Sequence, residues 1–341
     1  MMKAAFGAAL ATVALAVPTP DLESRDFDAW RLAHGKTYDG KGEHESRRSI
    51  FAANLDYIDA HNAEGHSYTL GVGPFTDLTN EEFAARFTEM EFKPDSERDE
   101  VYLPEVRTLE GQAADGVDWR GDNKGTTWGG TNPKGITAVT PIKDQKKVCF
   151  SQNHLSSLPD HRIPPRRWLS FFRDLQCGGC WAFSTTGAIE GANAVAGNFQ
   201  ADGKPLSLSE QELVSCSKNG NKGCQGGSMD LAMQWVQKNQ GLDSELDYPY
   251  TSGGGQNGQC DTSKERKHVG AITGHKDVPQ QNEKQLEAAV AQQPVSIAIE
   301  ADKQVFQHYK TGVMDSELCG TKLDHGVLLV GYGTDSGKDY W

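Results

Sequence analysis

Two cysteines stand three residues apart in Gln176-Cys177-Gly178-Gly179-Cys180-Trp181-Ala182-Phe183-Ser184. A further 145 residues along, Leu323-Asp324-His325-Gly326-Val327 sets a histidine at the head of an apolar run. A thiol attacks as its thiolate, and an imidazolium neighbour lowers its pKa. Any fold that uses this pair must bring two distant stretches of chain together. Trp181, Phe183, Ile189 and Ala192 mark a helix that starts at Cys180, so the helix dipole also favours the thiolate. The run from Gly326 to Gly333 is an apolar strand ended by glycines.

The 341 residues leave room for more than one unit. A net charge of −13 argues against nucleic acid as a partner. Met1-Met2-Lys3, an apolar stretch to Val17 and Ala14-Leu15-Ala16 form a signal peptide over residues 1–16. No later stretch has the length of a membrane span, so no span is expected. Secretory entry makes disulfides expected, and no Asn-x-Ser/Thr sequon occurs. Seven cysteines is an odd number, so at least one thiol lies outside a disulfide.

Cys177 and Cys180 do not read as a thioredoxin-like pair, because no βαβ pattern precedes them and Trp follows the motif. Zinc ligation by Cys177, Cys180, Cys216 and Cys224 fails on the eight-residue step between the last two. No phosphate-binding loop or HExxH motif occurs, and no metal or cofactor is expected.

Between Phe27 and Asn62 the pattern is helical, with Phe27 and Trp30 on one face. Glu43, Arg47, Phe51, Asn54, Ile58 and Asn62 recur at steps of three and four, which keeps them on one stripe. A stripe that mixes Glu, Arg and two Asn with apolar residues is not plain core packing. Gly71-Val72-Gly73-Pro74-Phe75-Thr76-Asp77 follows. Lys93 to Glu100 has linker composition.

These motifs together resemble a papain-family, cathepsin-L-like cysteine protease precursor. The cysteine motif carries Gly179 where the family has Ser or Ala, and the His spacing fits. The stripe matches the family's inhibitor prodomain at all six positions, and Gly73 stands where the family usually has Asn. The resemblance implies an α+β, two-lobed papain-like fold. A helical left lobe would carry Cys180, and an antiparallel β-barrel-like right lobe would carry His325 and the strand 294–299. It implies an inhibitor prodomain over 25–90 that threads the cleft backwards, a linker over 91–115 with maturation cleavage between about Glu105 and Gly116, and a peptidase domain over 116–341 that opens at Val117-Asp118-Trp119-Arg120.

The resemblance further implies Cys180 as nucleophile, His325 as base and Gln145, in Pro141-Ile142-Lys143-Asp144-Gln145, as oxyanion donor. Asp324 is not expected to be catalytic. Cys177–Cys224 and Cys216–Cys260 would be the disulfides. Gly226 and Gly227 would pair with an extended peptide, and Met229, Ala298 and Leu323 would form an apolar pocket for the residue two before the scissile bond. The implied partners are peptide or protein substrates and the chain's own prodomain. A monomer is expected, in the lysosome or vacuole or outside the cell.

Two departures stand against this pattern. The 29 residues Lys147 to Leu175 separate Gln145-Lys146 from Gln176-Cys177, where the family has essentially no gap. Val codons begin GT and the Gln codon CAG ends in AG, so an intron from Val148 to Gln176 is the expected origin. The alternative is a basic-aromatic docking loop. The chain also stops at Lys338-Asp339-Tyr340-Trp341, before the family's histidine-orienting Asn and the partner of Cys319, so the end of the peptidase domain is expected to be missing. The competing function is a defective product that acts only as a protease-inhibiting prodomain.

Overall fold

The computed structural model describes residues 21–87, 116–121, 135–143, 177–264, 267–316 and 319–341. The signal peptide, the linker with its cleavage site, Gln145, Cys149 and the 147–175 insert lie outside the described residues.

The first unit is helical. Asp26 caps α1 (Phe27–Ala33) by accepting from the Ala29 N–H at 2.8 Å. Gly35, at φ 62°, turns the chain before α2 (Gly40–Ala63), so the helical pattern is two helices and not one. The six stripe residues of α2 each have work there. Arg47 reaches the Asp77 carbonyl at 3.1 Å and the Glu82 carboxylate at 2.6 Å, with Glu43 behind it at 3.9 Å. Phe51 packs in a buried aromatic cluster with Phe27 and Trp30. Asn54 donates to the carbonyls of Thr76 and Leu78, and Ile58 packs on Tyr68 and Leu70. Asn62 both donates to and accepts from the Leu70 main chain. The stripe is therefore a clamp that holds β1 (Tyr68–Leu70) and the turn before α3 (Asn80–Phe87). Asp77 closes that turn with Lys36 and Tyr38, both at 2.9 Å.

The second unit has two layers. α4 (Cys180–Val195) is buried on most sides, and its buried Ser184, Thr185, Thr186, Glu190 and Asn193 are each hydrogen-bonded. On one side it meets α5 (Glu210–Cys216) and α6 (Met229–Asn239), around Trp181, Leu208, Leu213 and Val236. On the other it meets β3 (Val295–Ile299), which pairs antiparallel with β5 (His325–Leu329). Gly187 and Gly191 permit that approach. A Cβ on Gly187 would come to 2.9 Å from Leu328, and one on Gly191 to 2.6 Å from Pro294.

β2 (Val117–Asp118), β6 (Gly331–Asp335) and β7 (Lys338–Tyr340) form an antiparallel sheet. Trp119 anchors it, with no exposed surface and its Nε1–H on the Val290 carbonyl at 2.7 Å. That carbonyl closes α7 (Glu283–Val290). The described residues thus give the α+β class that the resemblance implied, with helices and antiparallel strands packed on α4.

The two units join through α8 (Gln304–Gln307) and β4 (Tyr309–Gly312). β1 pairs antiparallel with β4, Tyr68 opposite Gly312 and Leu70 opposite Tyr309. Gln307 donates to the carbonyls of Phe75 and Leu78, and Asn80 donates to the Asp302 carbonyl. Phe306 packs against Phe75, Leu78 and Phe83. Among the described residues, no helix is long and apolar enough to cross a membrane.

Candidate active site

Cys180 is the first residue of α4, with Gly179 as its cap. The segment before it is fixed by the Cys177–Cys224 disulfide and by the Gly178 N–H, which donates to the Cys224 carbonyl at 2.9 Å. Trp181 is wholly buried, and its Nε1–H donates to the Gly223 carbonyl at 3.0 Å. The helix headed by Cys180 therefore starts on a covalent and hydrogen-bonded floor.

His325 is the first residue of β5 and lies opposite Ile299 in register. One turn along α4 from Cys180, Ser184 donates to the Val327 carbonyl at 2.7 Å and meets Ser296 Oγ. These bonds tie the helix to both strands of the His325 hairpin. The result is direct: α4 packs along β5, and the Gly326 main chain lowers the Cys180 thiol's pKa. The two segments 145 residues apart in sequence meet there.

Burial pushes the Cys180 thiol above its ordinary pKa. The N–H groups of Gly326 and Trp181 pull it down, while the Asp324 carboxylate adds to the rise. In this closed form the protonated thiol is favoured, which differs from the expectation drawn from the helix dipole alone. Burial costs the anion more than one helix end returns. Asp324 is itself raised, first by burial, and accepts from the Ala301 N–H at 2.8 Å. It braces the approach to His325, in keeping with a role outside the chemistry.

Gly226 sits at φ 98° and spends both main-chain groups in its own turn. Its N–H donates to Gly223 and its carbonyl accepts from Lys222. Gly227 lies on the Trp181 ring, where a Cβ would come to 2.8 Å. Met229 opens α6 and packs half-buried on the core. Ala298 faces Gly326 across the β3–β5 ladder, and Leu323 is 39% exposed two residues before His325. Cys216 pairs with Cys260 as expected, and Cys319 is an exposed free thiol.

The profile for the papain family cysteine proteases matches residues 168–341, and the profile for the cathepsin propeptide inhibitor domain (I29) matches residues 27–83. The chain belongs to the papain family of cysteine proteases. Among similar papain-family proteins, the Arabidopsis thaliana "Probable cysteine protease RD21B" is 40% identical over 322 residues, covering 93% of this chain and 58% of that protein. "Probable cysteine protease RDL2" of the same plant is 40% identical over 320 residues, covering 92% and 74%. The chain spans less than two thirds of the length of the first of these relatives. Among solved structures, "Recombinant stem bromelain precursor" superposes with a TM-score of 0.70 at 31% identity, over 92% of this chain and 84% of that one. "Structure of digestive procathepsin L 3 of Tenebrio molitor larval midgut" gives 0.66 at 32%, over 91% and 84%.

Three residues make contacts that no motif announced. Ser184 is a polar residue on an apolar helix, and a buried hydroxyl implies a partner. Asn221 accepts from the Ser228 N–H at 2.8 Å and so sets the turn that carries Gly227. Lys143 reaches Glu190 at 2.7 Å and Glu210 at 2.6 Å, which pins its segment to α4 and α5. Among the described residues one group could hold a metal ion: Asp230, His275 and Asp277 place donor atoms within 4.8 Å of one another. It includes neither Cys180 nor His325.

Proposed function

We propose that this chain is the zymogen of a cysteine endopeptidase with Cys180 as nucleophile. The observation that carries this is the packing of the helix headed by Cys180 along the strand headed by His325, fixed one turn on by the Ser184 hydroxyl on the Val327 carbonyl at 2.7 Å. Release of the prodomain wets the site and lets the thiol pass its proton to His325. The thiolate attacks a peptide carbonyl. The Cys180 N–H and the Gln145 amide donate to the oxyanion. His325 protonates the leaving amine, and water then hydrolyses the thioester, returning thiol and carboxylic acid.

Gly227 offers main chain to an extended substrate, with Gly226 holding its turn. Met229, Ala298 and Leu323 give an apolar surface for the residue two before the scissile bond. The docked residues 27–83 act as the chain's own inhibitor until cleavage in the linker 91–115. The two disulfides fit passage through the secretory pathway to a vacuole, a lysosome or the exterior.

The test is a thiol-directed epoxide on processed protein, with a peptide amide carrying Leu or Phe two before the cleaved bond. One label per chain on Cys180, loss of labelling in His325→Ala and loss of hydrolysis in Cys180→Ala are expected. Hydrolysis that survives Cys180→Ala refutes the assignment.

A further inference from the structure

One face of α6 carries the chain that leads into α7. Gln237 Nε2 donates to the Thr273 carbonyl at 2.6 Å, and a Cβ on Gly274 would lie 3.8 Å from the same nitrogen. Asp230 stands seven residues before Gln237, two turns back on the same side of the helix. Two turns are about 10 Å of helix, and extended chain covers that in about three to four residues. The register therefore carries residues 275–277 to the level of Asp230. Successive side chains of extended chain point to opposite sides. The exposures follow that rule: His275 and Asp277 are half-buried, and Lys276 between them is exposed. One nitrogen of the His275 ring and one oxygen each of Asp230 and Asp277 lie within 4.8 Å of one another. No short motif announces the group, because Asp230 lies 45 residues before His275.

We propose that Asp230, His275 and Asp277 bind a zinc ion that staples the start of α6 to the segment entering α7. Two carboxylates and a neutral imidazole bring two negative charges, which match a divalent cation. The donor set selects among such cations. Calcium takes six to eight oxygens and magnesium an octahedron of oxygens. Zinc takes imidazole nitrogen and carboxylate oxygen together, at about 2.0–2.2 Å. Donors around a tetrahedral ion at that distance stand about 3.4 Å apart, so small rotations of three half-buried side chains close the group on the ion. Water fills the fourth position. Met229 precedes Asp230 in the first turn of α6, so the ion also holds the helix end that carries Met229. The site shares no residue with Cys180 and His325, and its effect is on the stability of the peptidase unit.

The experiment uses the full chain with Cys149→Ser, Cys180→Ser and Cys319→Ser, which removes every thiol outside the two disulfides as a competing ligand. Protein stripped with a chelator is titrated at pH 7.5 with cobalt(II) and then with zinc. One cobalt per chain is expected, with the visible bands of a four-coordinate site, and zinc should displace it. Asp230→Asn, His275→Gln and Asp277→Asn should each weaken uptake by more than the about tenfold that loss of a supporting partner costs. Saturating zinc should raise the melting temperature of the parent chain and leave that of His275→Gln unmoved. X-ray absorption at the zinc edge should show one imidazole in a shell otherwise of oxygen, at about 2.0–2.2 Å. Where a variant fails to fold, that shell decides alone. A parent chain that takes up no metal overturns the proposal. So do variants that bind as the parent does, or a shell with two imidazoles, either of which places the ion elsewhere, as on His61 and His66.

Discussion

Ser184 Oγ donates to the Val327 carbonyl at 2.7 Å, one helical turn from Cys180 and two residues from His325. The bond sets how far the nucleophile helix slides along the histidine strand. Ser296 Oγ meets the same hydroxyl, so one side chain joins the helix to both strands. A thiol and an imidazole that must meet within hydrogen-bond reach depend on this kind of support.

Ser184→Ala is therefore expected to cost about 1–2 kcal/mol in urea unfolding. It should also lower kcat more than it raises KM, because substrate does not touch Ser184. Unchanged kcat with lowered stability would reduce Ser184 to a packing role.

Gly227 tests the wall of the cleft. A Cβ there would sit 2.7 Å from Asn221 Oδ1 and 2.8 Å from the Trp181 ring. Both neighbours are buried and hydrogen-bonded, so neither gives way cheaply. Gly227→Ala should raise KM for extended peptides several-fold and lower the melting temperature. A variant with native KM would show that substrate main chain does not run along this wall.

Asn54 is the keystone of the prodomain. It is 4% exposed and donates to the Thr76 carbonyl at 2.8 Å and to the Leu78 carbonyl at 2.9 Å, while accepting from Gln304 of the peptidase unit. Asn54→Ala strands two carbonyls, which costs about 2–3 kcal/mol. In the Cys180→Ser chain the prodomain transition should move to lower urea by that amount, while the peptidase transition stays. A change below about 0.5 kcal/mol would show that water replaces the side chain.

Much of this was legible because it repeats or clusters along the chain. The period of Glu43, Arg47, Phe51, Asn54, Ile58 and Asn62 fixes a face, and the structure uses that face as a clamp. Cys180 and His325 were legible through local chemistry. What stayed hidden were single residues whose roles exist only across the fold. Ser184 and Asn221 sit in no pattern, and their partners lie at Val327 and Ser228. Lys143 belongs to the segment read for Gln145, yet its own place between two buried carboxylates was not legible there. The state of the Cys180 thiol also escaped, because burial is set by the whole fold and outweighs the helix end.

The carboxylates behind α4 give the last prediction. Glu245 is half-buried, its Oε1 accepts from the Tyr250 N–H at 2.9 Å, and the charge that acts on it is that of Glu210, which binds Lys143 and Thr186. Burial first, and the Glu210 charge second, raise the Glu245 pKa from 4.5 to about 7. The fold thus favours the protonated form. Its contribution is full below pH 4.5 and is lost as the pH rises from 4.5 toward 7. The peptidase core should firm on acidification. In the Cys180→Ser chain, the peptidase transition should fall in stability between pH 5 and 8, by at most about 1.4 kcal/mol per unit for one proton. Glu245→Gln keeps the shape and needs no proton, so it should flatten that slope and raise stability at pH 8. A Gln variant with the original slope would place the proton elsewhere in the cluster.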